Sequence, residues 1–298
     1  MPSLLSNRLA KRMLRPAFSL VEQRLERATT ALQADLDALH HEVADLRRQS
    51  YGLGLLLDHA GRDGHRMATA NQLDTLVREV TTVTGASCEH ARRDLTVAYR
   101  TVVALEALGV GRMAGSTSDI CGKLATVPLL APPNEEVLEI GTQHGLFAAA
   151  LLRMLHRAGV EPRLTVIDPL AGALVPSGTA PAPVREDVVR ANLTLCGSRS
   201  GARARLLQGG SGDAGVRARV SDRRYGVVVL AGDPSVAGVL ADLRLTEELA
   251  ADGAVVVLDG HGDGTRPGVG EALAKRVADG SRLRTLGVVA GTAYLRAG

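Results

Sequence analysis

The sequence has no tryptophan, and two phenylalanines and four tyrosines leave aromatic residues at 2% of its 298 positions. Proteins that hold single-stranded nucleic acid stack bases on aromatic platforms, and no basic tract with interleaved aromatics is present here either, so no nucleic-acid partner is expected. Cysteine is scarce. Cys88, Cys121 and Cys196 lie far apart without a CxxC pair, which argues against a disulfide framework and against a cysteine-built zinc site. No apolar run approaches the roughly 18 uninterrupted residues of a membrane span, and no charged start followed by an apolar stretch reads as a secretory signal. The expected compartment is the cytoplasm. Neither sign of charge dominates, with 35 Lys and Arg against 32 Asp and Glu, and no internal repeat is evident. What is present, 45% hydrophobic and 22% charged residues, suits one or two globular domains with a sizeable core.

Three regions follow from the texture of the chain. In residues 1–57, Arg8, Lys11, Arg12 and Arg15 stand among leucines with no acid before Pro16. This segment reads as a basic extension of the next helix, or alternatively as a membrane-surface or transit-like helix. From Phe18 the apolar positions Val21, Leu25, Ala28, Leu32, Leu36, Leu39, Val43 and Leu46 recur in three- and four-residue steps, as a heptad seam requires. Two readings fit this seam: a coiled-coil dimer that makes the protein a homo-oligomer, and a long helix folded back on its own domain. Residues 58–130 form a helical lid or oligomerisation region, in which Gly61-Arg62-Asp63-Gly64 breaks the chain and Asn71, Ser87 and Ser116 are placed as helix N-caps. Asp58, His59, Asp63 and His65 lack ligand spacing and read as a polar turn.

Beyond Pro132-Pro133, in residues 131–298, short apolar runs alternate with amphipathic stretches, the pattern of a mostly parallel sheet flanked by helices, an α/β fold. Seven strands are predicted: Glu136–Ile140, Leu164–Ile167, Arg205–Leu207, Gly226–Leu230, Ala254–Leu258, Thr285–Val289 and Thr292–Leu295. Val227-Val228-Val229 and Val255-Val256-Val257 have the continuous β-branched character of strands buried on both faces.

The most informative string is Val137-Leu138-Glu139-Ile140-Gly141-Thr142-Gln143-His144-Gly145, a strand ending in an acid and two glycines before a helix over Leu146–Arg157. Glycine lets a ligand lie against backbone, and the helix start offers free amides, so a nucleotide-type ligand fits there. The next strand ends in Asp168, where a carboxylate can accept both hydroxyls of a ribose. Gln143 occupies the middle glycine position of a GxGxxG fingerprint and no GxxxxGK[ST] loop exists, so NAD and ATP hydrolysis are disfavoured.

These residues resemble motif I and the acidic second-strand end of class I S-adenosylmethionine-dependent methyltransferases. Gly232-Asp233-Pro234-Ser235 through Asp242-Leu243, Asp252-Gly253-Ala254 through Asp259, and Pro267-Gly268-Val269 are similar, in order and spacing, to later motifs of the methyltransferase-24 type. The resemblance covers roughly residues 116–298 and implies a Rossmann-like sheet that takes S-adenosylmethionine as cofactor. By position it places Glu139 near the methionine amino group, Gly141, Thr142 and Gly145 against the cofactor, and Asp168 on the ribose. Gly210 stands where an acid is common in the family, so Ser211 or Asp213 is expected to serve the adenine.

Methyl transfer is an in-line displacement, and the protein chiefly aligns the acceptor and removes its proton. Relatives that use magnesium bind it with acids at the fourth and fifth strand ends, whereas Ala231 and Pro234 replace the first acid and the histidine here. No metal ligand set is therefore assigned, magnesium remaining the less favoured alternative. Asp233 and Asp259 persist as candidate catalytic residues, with His261 as candidate general base on a glycine-flanked loop. The expected function is methylation of a small molecule, at a hydroxyl of a sugar or secondary metabolite. The replacements at Ala231, Pro234 and Gly210 leave two alternatives: an inactive methyltransferase-like scaffold, or an S-adenosylmethionine enzyme with another reaction.

Overall fold

The computed structural model describes residues 23–43, 69–170 and 186–298. The basic extension, seam residues Phe18, Val21 and Leu46, the Gly61–Gly64 break and the Asp58 to His65 cluster lie outside them. Residues 1–50 and 51–298 form two compact units. In the first, residues 23–43 are a helix (α1) on which the seam residues Leu25, Leu32, Leu36 and Leu39 are all more than half exposed.

In the second unit, α2 (Ala70–Thr84), α3 (Cys88–Leu108) and α4 (Thr117–Leu129) precede β1 (Glu136–Ile140). Then follow α5 (Leu146–Arg157), β2 (Arg163–Asp168), α6 (Glu186–Cys196), α7 (Ser198–Ala202), β3 (Arg205–Gln208) and α8 (Ala214–Val220). The chain closes with β4 (Tyr225–Leu230), α9 (Val236–Leu249), β5 (Ala250–Leu258), α10 (Pro267–Ala278), β6 (Leu283–Val289) and β7 (Thr292–Ala297). Ser87 and Ser116 cap α3 and α4 as expected. Asn71 does not cap α2: Thr69 does, because Gln72 at the third helical position returns a hydrogen bond to the Thr69 amide and completes a capping box that Asn71 cannot form.

The strands make one sheet in the order β3-β2-β1-β4-β5-β7-β6, parallel except for β7, which runs antiparallel to β5 and β6. β5 begins four residues earlier than its valine run suggests. Asp252-Gly253 sits in an irregularity where pairing jumps from Tyr225 with Ala250 to Val227 with Val255, so the glycine marks a bulge and not the strand start. Because β1 is flanked by β2 and β4, connections leave it in opposite directions, and its carboxyl end is the crevice where open α/β sheets take ligands.

Strand periodicity decides which residues face which layer. Val137, Val227, Val229, Val255 and Val257 point into a core shared with α2 to α6, while Leu138, Ile140, Val228, Leu230, Val256 and Leu258 point toward α8 to α10. Glu139, two residues after Val137, therefore faces the layer to which α4 belongs. In that layer Ile120 is fully buried, and Ile120→Val is expected to cost about 0.5–1.5 kcal/mol in urea denaturation. No measurable loss would mean that α4 is not part of the cooperative core.

Candidate active site

The β1 end is built by backbone conformation before any side chain acts. Gly141, Gln143 and Gly145 all have positive φ, at 83°, 50° and 76°, so Gln143 adopts the left-handed form at the position a dinucleotide fingerprint reserves for glycine. Gly141 extends the sheet by donating to the Ile167 carbonyl at 2.9 Å. A β-carbon on it would fall 2.4 Å from the Ala231 carbonyl oxygen. Asp168 ties the loop down: its Oδ2 accepts from the Thr142 and Gln143 amides at 2.7 and 3.2 Å, and its Oδ1 from the Leu170 amide at 2.7 Å. Gly145 begins α5 with no side-chain cap, which leaves the first amides of that helix open to a ligand.

Glu139 is 2% exposed, and its Oε2 is buried without a hydrogen-bond partner. Burial pushes its carboxyl up to about 8; the Thr142 side chain draws it partly back, and the Asp168 charge adds to the rise. A buried carboxyl with an idle oxygen suits a cationic ligand, since an ammonium placed there would restore both the charge balance and the missing bond. The loop is braced from behind. The side-chain amide of Asn192 on α6 donates to the carbonyls of His144 and Val110, and its oxygen accepts from the Val110 amide, each at 2.8 Å. His144, held down from its usual range by burial, lies where a β-carbon on Gly111 would sit.

At the ends of β4 and β5 a cleft is lined in part by Ala231, Asp233, Asp242, Asp259, Arg266 and Val269. Asp233 is exposed and accepts from both the amide and the hydroxyl of Ser235, at 2.9 Å each, beside the start of α9. Ser211 donates to the buried Asp242. Burial raises that carboxyl to about 6, against the pull of Ser211 and with help from the Asp233 charge. Asp213 turns back on its own loop, accepting from the Gly210 amide at 2.7 Å. Of the two residues expected at the adenine, Ser211 thus reaches the cleft through Asp242 and Asp213 closes a turn.

Asp259 closes the cleft and meets two cations. It is bonded to the Lys123 ammonium, and the Arg266 guanidinium lies 3.8 Å from its other oxygen. His261 does not line the cleft. Its ring lies 3.8 Å from the place a β-carbon on Gly270 would take, at the start of α10, and its Nδ1 is buried with no partner. Among the described residues no set of three His, Cys, Asp or Glu side chains can hold a metal ion. No helix among them is long and apolar enough to cross a membrane.

Several residues of this site escaped the sequence reading, Arg266 and Asn192 among them. Lys123 stands alone in an otherwise apolar stretch of α4, Ile120-Cys121-Gly122-Lys123-Leu124-Ala125, and an isolated lysine on a buried face was a usable signal. Asp242 lies inside a string already matched to a family motif, yet only the fold brings it under Gly232 and against Ser211.

Residues 138–260 match the methyltransferase-24 family model, described as a methyltransferase domain. No curated protein matches. Solved structures similar to the chain include cofactor-bound Rv0187 from MTB, 20% identical with a TM-score of 0.46, covering 77% of this chain and 98% of that one. Another is the O-methyltransferase TomG from Streptomyces achromogenes, in complex with SAM, at 17% identity and a TM-score of 0.44 over 69% of this chain and 90% of that one. A third is CalS11, a TDP-rhamnose 3'-O-methyltransferase, at 18% identity and a TM-score of 0.43 over 78% of this chain and 97% of that one. The matched segment runs from within β1 to just past Asp259 and contains the positive-φ loop, Asp168 and the β4 and β5 ends of the cleft, and over those residues the chain matches a methyltransferase domain.

Proposed function

We infer that this chain transfers a methyl group from S-adenosylmethionine to a hydroxyl of a small molecule, a sugar or secondary metabolite. The observation that carries this reading is the idle, buried Oε2 of Glu139 beside a loop whose glycines leave no room for side chains. The bound cofactor would supply a methyl on a sulfonium, which an acceptor oxygen takes as the carbon–sulfur bond breaks. The protein supplies the rest. Glu139 receives the methionine ammonium, Gly141, Thr142 and Gly145 form the backbone cradle, and Asp168 presents to the ribose whatever acceptor capacity three backbone amides leave it. Ser211 orients Asp242 at the adenine side, and Asp213 fixes that loop. A cleft with Asp233, Asp259 and Arg266 beside Val239 and Val269 suits a hydroxylated acceptor, which polar groups can orient against an apolar wall. Asp233 and Asp259 line the cleft and orient the acceptor, and His261, on the loop just beyond Asp259 and outside the cleft lining, is the proposed base through Nε2 for an acceptor that extends past the Asp259 rim. The exposed leucines of α1 support a homo-oligomer joined through the N-terminal helices.

Calorimetric titration with S-adenosylmethionine and S-adenosylhomocysteine tests the reading. Micromolar binding of both is expected, and binding of neither would leave the scaffold alternative standing. Asp168→Ala should weaken cofactor binding at least about tenfold, since it removes the ribose acceptor and frees three amides it had restrained. An unchanged affinity would remove Asp168 from the site. His261→Ala should lower turnover by roughly a hundredfold or more with cofactor binding intact, and full turnover with the acceptor would transfer the base role elsewhere.

A further inference from the structure

We propose that the Lys123 ammonium is a built-in cation occupying the acidic position at the carboxyl end of β5, so that this site works without a divalent metal and α4 supplies a positioning residue for methyl transfer. The inference rests on the functional reading above. Its geometry does not. Lys123 is 4% exposed, and its Nζ is bonded to Asp259 at the β5 end and lies 2.8 Å from Asp119, one turn earlier on α4. The same nitrogen stands 5.1 Å from the Phe147 ring centroid, in the first turn of the helix that follows the cofactor loop. Asp119 is held in turn by the Thr292 hydroxyl at 2.5 Å.

The donor set explains why a metal ion does not fit. A hard divalent ion wants several oxygen ligands, usually from more than one carboxylate. At the β4 end the matching position is Ala231, which has no oxygen to give beyond its backbone, and Asp233 is turned toward Ser235. At the β5 end, Asp259 has one oxygen on Lys123 and the other facing Arg266. Two carboxylates packed against one lysine already form a cation site, and an ammonium fills it. Burial alone would lower the lysine's proton affinity, but the Asp259 and Asp119 charges outweigh burial and raise it, so the cation stays charged through neutral pH.

Lys123 does not reach the acceptor through a free donor, since its ammonium is spent on the two acids and the aromatic face. Its part is to fix the Asp259 carboxylate at the rim of the cleft, which a metal would do by coordination. The helical segment before the sheet therefore completes the site.

The test is manganese binding, followed by paramagnetic resonance on the full chain. Wild-type protein is expected to show no saturable manganese site up to millimolar concentration. Lys123→Ala, which leaves Asp119 and Asp259 facing an empty place, is expected to acquire one site that is lost again in Lys123→Ala/Asp259→Asn. If Lys123→Ala does not fold, Lys123→Gln, which keeps the stem, replaces it. A saturable wild-type site abolished by Asp259→Asn would overturn the proposal, as would a folded Lys123 variant with no manganese site. Because manganese is read directly and no methyl is transferred, a failure here is separate from a failure to bind S-adenosylmethionine.

Discussion

Glu139→Gln is expected to make the ligand-free protein more stable at neutral pH and to destroy its affinity for S-adenosylmethionine. The carboxyl is pushed up to about 8 in the folded state, by burial first, against 4.5 when unperturbed. Between those values the folded chain holds a proton that the unfolded chain has released, so stability falls as pH rises through that window and the loss is complete above the folded value. Each unit of difference is worth about 1.4 kcal/mol, which makes the ionisable group a liability of roughly 3–5 kcal/mol near pH 8. Glutamine has no proton to lose. Its melting temperature should therefore change less than that of the wild type from pH 5 to pH 8 and exceed it at the alkaline end. Parallel melting curves across that range would show that Glu139 is not the strained group. Cofactor binding has the opposite dependence. A cationic ligand stabilises the carboxylate, so wild-type affinity should rise from pH 6 to pH 8, with proton release on binding visible in buffers of different ionisation enthalpy.

The second large effect is expected from Gly141→Ala. At φ 83° a side chain carries a conformational cost of about 1–2 kcal/mol. The new β-carbon would also meet the Ala231 carbonyl oxygen and carbon at 2.4 and 2.6 Å and the Gly232 α-carbon at 2.8 Å, all backbone atoms of the adjoining strand end. None of these is a flexible tip that can swing away, so β1 and β4 must part where Ala231 donates to the Ile140 carbonyl. Overpacking of this kind costs about 1–3 kcal/mol more. Loss of about 2–5 kcal/mol in guanidinium denaturation is expected, together with loss of cofactor binding. Wild-type stability would mean that the loop does not take this conformation.

Much of this architecture was legible because buried parallel strands announce themselves. The Val227 and Val255 runs, the Glu136–Ile140 strand and the glycines after it follow from burial on both faces and from close backbone approach, both local properties. Ser87 and Ser116 were readable for the same reason, since a cap acts within three residues. Thr69 was not, because the choice between it and Asn71 turned on a reciprocal bond from Gln72. The start of β5 was hidden by a bulge that only the partner strand defines. The Lys123 to Asp259 pair spans 136 positions, and no periodicity encodes it. The bond from the Gly210 amide to Asp213, by contrast, stays within three residues, the range at which sequence is informative.

The two-sided sheet has a consequence for recombination. The valines of β4 and β5 that face α2 to α6 are matched by helices encoded largely before the methyltransferase segment, and the same stretch of chain carries the counter-ion of Asp259. A chimera that grafts residues 138–260 behind another relative's leading helices would exchange a fitted surface and a charge at once. Such a graft should succeed only where the recipient's leading helices bring a lysine to that spot, or where the grafted segment carries an acid in place of Ala231 and takes a metal.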